Sequence, residues 1–170
     1  GGRITVSVGP SELAPDAEDG EASAHDVEQM ERVLELADDT DSAIQAHAYE
    51  GQVAAAADAV PEILDADLSL AHCAGISGRE VEVLAENGVG ASHGPMTHAY
   101  ANARFPVVEA LEAGVTVAVS TDGSAPDRSF DLLSMGRIAA QLQRAHHNDT
   151  SLIPAGKTIE MMTIDAADVL

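Results

Sequence analysis

The stretch IQAHAYEGQ, residues 44–52, alternates apolar and other residues and then delivers His47 and, three positions on, Glu50. The same design returns in LSLAHCAG (68–75) with His72, in VGASH (89–93) with His93, and in VAVSTDGSAP (117–126) with Asp122. Each of His47, His72, His93 and Asp122 falls at the last position of a predicted strand or just beyond it. Neutral imidazole nitrogens and a carboxylate oxygen are good ligands for Zn²⁺ or Fe²⁺. Taken singly, each residue has an ordinary structural role. A strand-end His is a structural residue or a hydrogen-bonding partner of a substrate. Asp122 is a turn residue in TDG. Glu50 is a first-turn helix acid favoured by the helix dipole. Their coincidence at strand ends favours one divalent metal ion.

The elements that must position these residues alternate. Strands are expected at 3–8, 43–48, 68–72, 89–93 and 115–121. Helices are expected near 25–38, across 51–66 with a break before Pro61, and at 106–114, 130–147 and 156–170. Between strands, SGREVEVLAENG offers Ser77 as N-cap, Glu80 three residues later and Gly88 as a stop. The spacing suits βα units with parallel strands. That leaves a doubly wound sheet or part of a (β/α)8 barrel, and in both the strand ends converge on one functional face. NGVGASHG lies after a helix and before a strand, the wrong order for a dinucleotide-binding turn, which counts against the doubly wound alternative.

The chain has 170 residues, 45% of them hydrophobic but only 2% aromatic, so its core is built from Ala, Val, Leu, Ile and Met. It reads as one domain with no second one. There are 29 acidic residues against 8 basic ones, a net charge of −21. The acids are spread over helix faces rather than gathered in one block. Adaptation to high salt therefore explains them better than a cationic partner does. Nucleic-acid binding through a basic surface is excluded. No stretch approaches a membrane span and no signal peptide is visible, so a cytoplasmic location is expected. Cys73 is the only cysteine and reads as a packed small residue. His146 and His147 end a helix, His25 lies near a helix start, and His98 is placed to line the same mouth as His93.

Taken in order, IQAHAYE, LSLAHCAG, GASHGPMTHAY, FPVVEALEAGVTVAVSTDG and TIDAADVL resemble the amidohydrolase superfamily, in particular its cytosine deaminase and chlorohydrolase branch. The resemblance implies a distorted (β/α)8 barrel with a mononuclear Zn²⁺ or Fe²⁺ at the strand ends. It implies His47 as a metal ligand and Glu50 as the proton-shuttling acid of an H-x-x-E motif. It implies His72 at the attacking water or substrate and, in some members, on the metal. Asp122 would bind metal and take the proton of water, and His93 and His98 would contact substrate. The reaction implied is hydrolysis of an amino-substituted heterocycle, such as a nucleobase, nucleoside or triazine, by metal-activated water.

Two departures accompany it. No H-x-H pair is present, although the family draws two metal ligands from one on its first barrel strand. Thr97-His98 stands where many members carry Ser-Asn. The expectation is a partial barrel of about strands 4–8, roughly three of eight strands short, inactive alone and homo-oligomeric when full length. A two-metal relative would need a carboxylated lysine, and Lys157 in a late helix is the only lysine. The reading from another class is a non-catalytic acidic binding or scaffold domain with a degenerate metal pocket.

Overall fold

The computed structural model describes residues 7–123 and 129–170. Five strands are present among them: β1 (Ser7–Val8), β2 (Ala43–Tyr49), β3 (Leu68–Ala74), β4 (Gly90–His93) and β5 (Val117–Val119). They form one sheet in the order β1-β2-β3-β4-β5, and every pairing is parallel. A doubly wound sheet reverses its strand order at a switch point. Here each strand lies beside its successor, as in a barrel wall. The first strand, expected from residue 3, is seen only from Ser7, because residues 1–6 lie outside the described residues. The expected strand at 115–121 is shorter, three residues long.

The helices between strands are α1 (Ala24–Thr40), α2 (Gln52–Ala59), α3 (Glu62–Asp65), α4 (Gly78–Asn87), α5 (Pro95–Ala101) and α6 (Val107–Ala113). After β5 come α7 (Leu132–His147), α8 (Ala155–Met162) and α9 (Ile164–Val169). The single helix expected over 156–170 is two, broken at Thr163, whose backbone leaves the helical region at φ −132° and ψ −80°. Helix α5 was not anticipated, although Pro95 at its first turn is a start signal.

Helix α4 is capped as expected. The Ser77 hydroxyl accepts the Glu80 N–H and the Glu80 carboxylate accepts the Ser77 N–H. Glu80 has a second task. Its Oε1 accepts the N–H groups of Val53 and Ala54 at the start of α2. That helix begins at Gly51, which has no side chain to cap it. One buried carboxylate thus satisfies orphan donors of two helix starts. The core between sheet and helices is aliphatic, with Leu13, Met30, Ile44, Ile63, Leu70, Leu84, Met135 and Met161 among its fully buried members and Phe105 its one buried aromatic. Glycines allow close approach where helices press on neighbours. A Cβ on Gly136 would lie 2.6 Å from Met162 Sδ, and one on Gly90 2.8 Å from Val169 Cγ2. Among the described residues no helix is long and apolar enough to cross a membrane.

Candidate active site

Alternation along β2 sends Ile44, Ala46 and Ala48 into the core and leaves Gln45 and His47 on the open face of the sheet. The register aligns His47 with Ala71, Ala71 with Ser92, and Ser92 with Ala118. His47, Ala71 and Ser92 of this row floor a cleft of about 350 Å³ at the carboxyl ends of the strands, with Ser11, His72, Gly94, Ser120 and Asp122 around it. The outer wall is the segment after β1. Leu13 N–H donates to the His47 carbonyl at 2.8 Å, and His47 N–H donates to the Ser11 carbonyl at 3.1 Å. Gly9 makes this possible, since a Cβ there would overlap the Gln45 carbonyl oxygen.

His72 should not face this cleft by simple alternation. It pairs with Ala48, whose side chain is in the core, so a regular strand would turn it toward the helices. The register between β2 and β3 shifts after Ala48, and His72 and Cys73 both take left-handed backbone at φ 71° and 50°. The irregularity re-aims the imidazole into the cleft, a familiar use of a bulge. Non-glycine residues are rare in that region, and holding them there costs about 1–2 kcal/mol each. Asp122, also left-handed at φ 56°, turns back from the end of β5 in the same way.

The rings of His47 and His72 lie 4.9 Å apart, and His72 Nε2 is 3.9 Å from Asp122 Oδ2. Tyr49 stacks on His72 at 5.7 Å. Asp122 is held at both oxygens. The Gly123 N–H donates to Oδ1 at 2.6 Å, and the Thr97 hydroxyl donates to Oδ2 at 2.6 Å. Burial pulls this carboxyl upward, but those two donors and the neighbouring imidazoles of His72 and His47 outweigh it and hold the pKa below the usual Asp value. Burial lowers the His72 pKa, and repulsion from His47 adds to this while Asp122 opposes it. Near neutral pH the site therefore presents an uncharged His72 beside an ionised carboxylate. Burial and Glu80 push the Cys73 thiol up to about 12, so it is an inert packing residue.

The remaining expected residues are placed differently. His93 is one position beyond Ser92, so it points to the opposite face of the sheet, fully buried against Phe105 and His98. Neither His93 nor His98 lines the cleft. His98 stands behind His72, with rings 5.6 Å apart, and His93 stands 4.9 Å behind His98. Burial drives both pKa values down, to about 3 for His93 and about 4 for His98. Glu50 is exposed in the turn after β2 and lines a neighbouring acidic depression with Asp19, Asp58 and Arg79. It packs against Gly75, where an added Cβ would sit 3.2 Å from Glu50 Cβ. Gln45, Ser92 and Thr97 were missed as site residues. Gln45 had a signal, being two positions before His47 on the same strand face, and Thr97 had one in standing where many members of the resembled family carry Ser; Ser92 had none before the register was known.

The cleft's donors, two imidazoles and a carboxylate, are of the type that binds Zn²⁺ or Fe²⁺. Among the described residues, however, no three His, Cys, Asp or Glu side chains are already gathered tightly enough to hold an ion. The residues fit such an ion in kind and supply part of a ligand set.

The chain is similar to known proteins. Over 101 residues the chain is 39% identical to a 5-methylthioadenosine/S-adenosylhomocysteine deaminase of Desulforudis audaxviator, a span of 59% of this chain and 24% of that protein. Over 105 residues it is 39% identical to an S-triazine hydrolase of Gordonia rubripertincta, a span of 61% of this chain and 22% of that protein. The crystal structure of an adenosine deaminase from Xanthomonas campestris with bound zinc superimposes with a TM-score of 0.73 at 27% identity, over 85% of this chain and 36% of that one. The aligned part of the chain spans about a quarter of the length of these curated relatives. Its sheet therefore corresponds to part of a barrel, and with residues 6–170 matching the model of the Amidohydrolase family, the chain belongs to that family.

Proposed function

We propose that this chain forms the C-terminal part of a metal-dependent hydrolase barrel that deaminates, or otherwise hydrolyses, an amino-substituted heterocycle of the nucleobase, nucleoside or triazine kind. The observation that carries the reading is the approach of His47, His72 and Asp122 to one another across a cleft at the strand ends. The deaminase and triazine-hydrolase relatives and the zinc-bound neighbour support the substrate class and a divalent ion, Zn²⁺ or Fe²⁺.

In this reading His47, Asp122 and His72 would hold the ion, with further ligands supplied from outside these residues; when bound, it would supply an acidified water near neutral pH. Asp122, ionised at that pH, would accept a proton from the water. His72, uncharged, would give its unprotonated ring nitrogen to the ion and keep one N–H to donate, and so would orient the nucleophile or the substrate. Glu50, exposed in the adjoining turn and outside the cleft, would swing in to protonate the ring nitrogen or leaving group. His98 backs the His72 ring and His93 backs His98, so that they act on substrate through the position of His72. With an incomplete ligand set, the 170-residue chain alone turns over nothing. The acidic surface adapts a cytoplasmic, homo-oligomeric enzyme to high salt.

The test measures metal content together with ammonia release from adenosine-type nucleosides and aminotriazines in the full-length enzyme. His47→Ala is expected to lose the metal. Glu50→Gln is expected to keep it and lose turnover by at least about 100-fold, the scale of general acid–base catalysis. Unchanged metal stoichiometry in His47→Ala, or full activity in Glu50→Gln, would overturn the assignment of that residue.

A further inference from the structure

We propose that Thr97 is the positioning residue that orients the Asp122 carboxylate. The metal-binding use of that orientation rests on the function proposed above. Asp122 lies past the end of β5 on left-handed backbone. Its Oδ1 is occupied by the amide of the next residue, Gly123. That bond is local and leaves the other oxygen undirected. Oδ2 is the oxygen that faces His72, and it takes the Thr97 hydroxyl at 2.6 Å from a residue 25 positions away in sequence.

The start of α5 is shaped to let this happen. Gly94 has no side chain where one would crowd Asp122, with an added Cβ 3.2 Å from Asp122 Cβ and 3.6 Å from its Oδ2. Pro95 then begins the helix and brings Thr97 round in its first turn. One hydroxyl donor on Oδ2 fixes the plane of the carboxylate and leaves the remaining acceptor capacity of that oxygen toward the cleft and His72. Partners of this kind, one bond removed from a metal, are what set ligand orientation in metal sites.

The experiment compares Thr97→Val, which keeps the shape and removes the donor, with Thr97→Ser, which keeps the donor. In the metal-free chain at pH 7, Thr97→Val is expected to shift the Asp122 carboxyl ¹³C and Gly123 amide signals, and Thr97→Ser to restore them. In the full-length enzyme, Thr97→Val is expected to weaken Zn²⁺ binding by about 10–100-fold, with Thr97→Ser close to the parent. Unmoved Asp122 and Gly123 signals in Thr97→Val, or a Thr97→Ser variant as impaired as Thr97→Val, would overturn the proposal. Signals that move and are rescued in a protein that binds no divalent ion would uphold the positioning of Asp122 and sink the metal-dependent reading instead.

Discussion

His72 and Asp122 face each other with Nε2 and Oδ2 3.9 Å apart, and both arrive there from left-handed backbone. The pair is built at the expense of local backbone preference, in strand-end positions where ordinary extended geometry would have pointed the side chains elsewhere.

That strain has a measurable signature at residue 72. Asparagine tolerates the left-handed region, and a β-branched residue does not. His72→Val is expected to be less stable than His72→Asn by about 1–2 kcal/mol in urea unfolding. Equal stability would mean that the backbone relaxes and the bulge is not imposed by the rest of the fold.

Glu80 ties the starts of α2 and α4 together from a buried position. Replacing it with Ala removes two caps at once and leaves the Val53 and Ala54 amides without their acceptor. The expected loss is about 2–3 kcal/mol, more than a single surface cap contributes. Amide hydrogen exchange checks the mechanism: protection should fall at the first turns of both helices, whereas a loss confined to α4 would refute the shared cap.

Stability should depend on acid through His93 and His98. Their folded pKa values, about 3 and about 4, lie below the ordinary imidazole value of 6.5. Between those limits the unfolded chain binds protons that the folded chain refuses, so stability falls as pH drops from 6.5 toward 4. Above 6.5 both states are neutral at these sites and the dependence vanishes. A His93→Phe variant, which keeps a ring and cannot titrate, is expected to flatten the fall in urea midpoint between pH 7 and pH 5. A parent-like slope would assign the acid sensitivity to other groups.

The net charge of −21 should make the fold salt-dependent. Raising ionic strength from 0.15 M to 1 M shortens the screening length from about 8 Å to about 3 Å and relieves repulsion among surface carboxylates. Few cations are available to compensate them: among the described residues Arg32, Arg79, Arg104 and Lys157 pair with carboxylates, against 29 acidic residues in the chain. The thermal midpoint is expected to rise steadily between low and molar KCl. A flat response would argue against adaptation to salt.

Much of the architecture was legible in the chain because its signals are local. Alternation marked β2, the Ser77–Glu80 spacing marked the start of α4, and Gly88 marked its end. The ordered polar residues after the strands pointed to a site at that end of the sheet, and the chain's small aliphatic residues pointed to its core. The break at Thr163 escaped because it depends on how the segment packs rather than on its own pattern, and the short helix α5 because Pro95 is its one local start signal.

By itself, the sequence determined which residues stand at strand ends and what chemistry they can perform. The tertiary structure decided which of them meet. Side-chain direction in a strand has a period of two, so the side a residue faces depends on register, and register is a relation between distant segments. Ser92 thereby joined His47 in the cleft while His93 was turned to the helices. A bulge of one extra residue sent His72 the other way, and a threonine 25 residues distant caught Asp122. None of these contacts has a local cause, which is why only the folded sheet contains them.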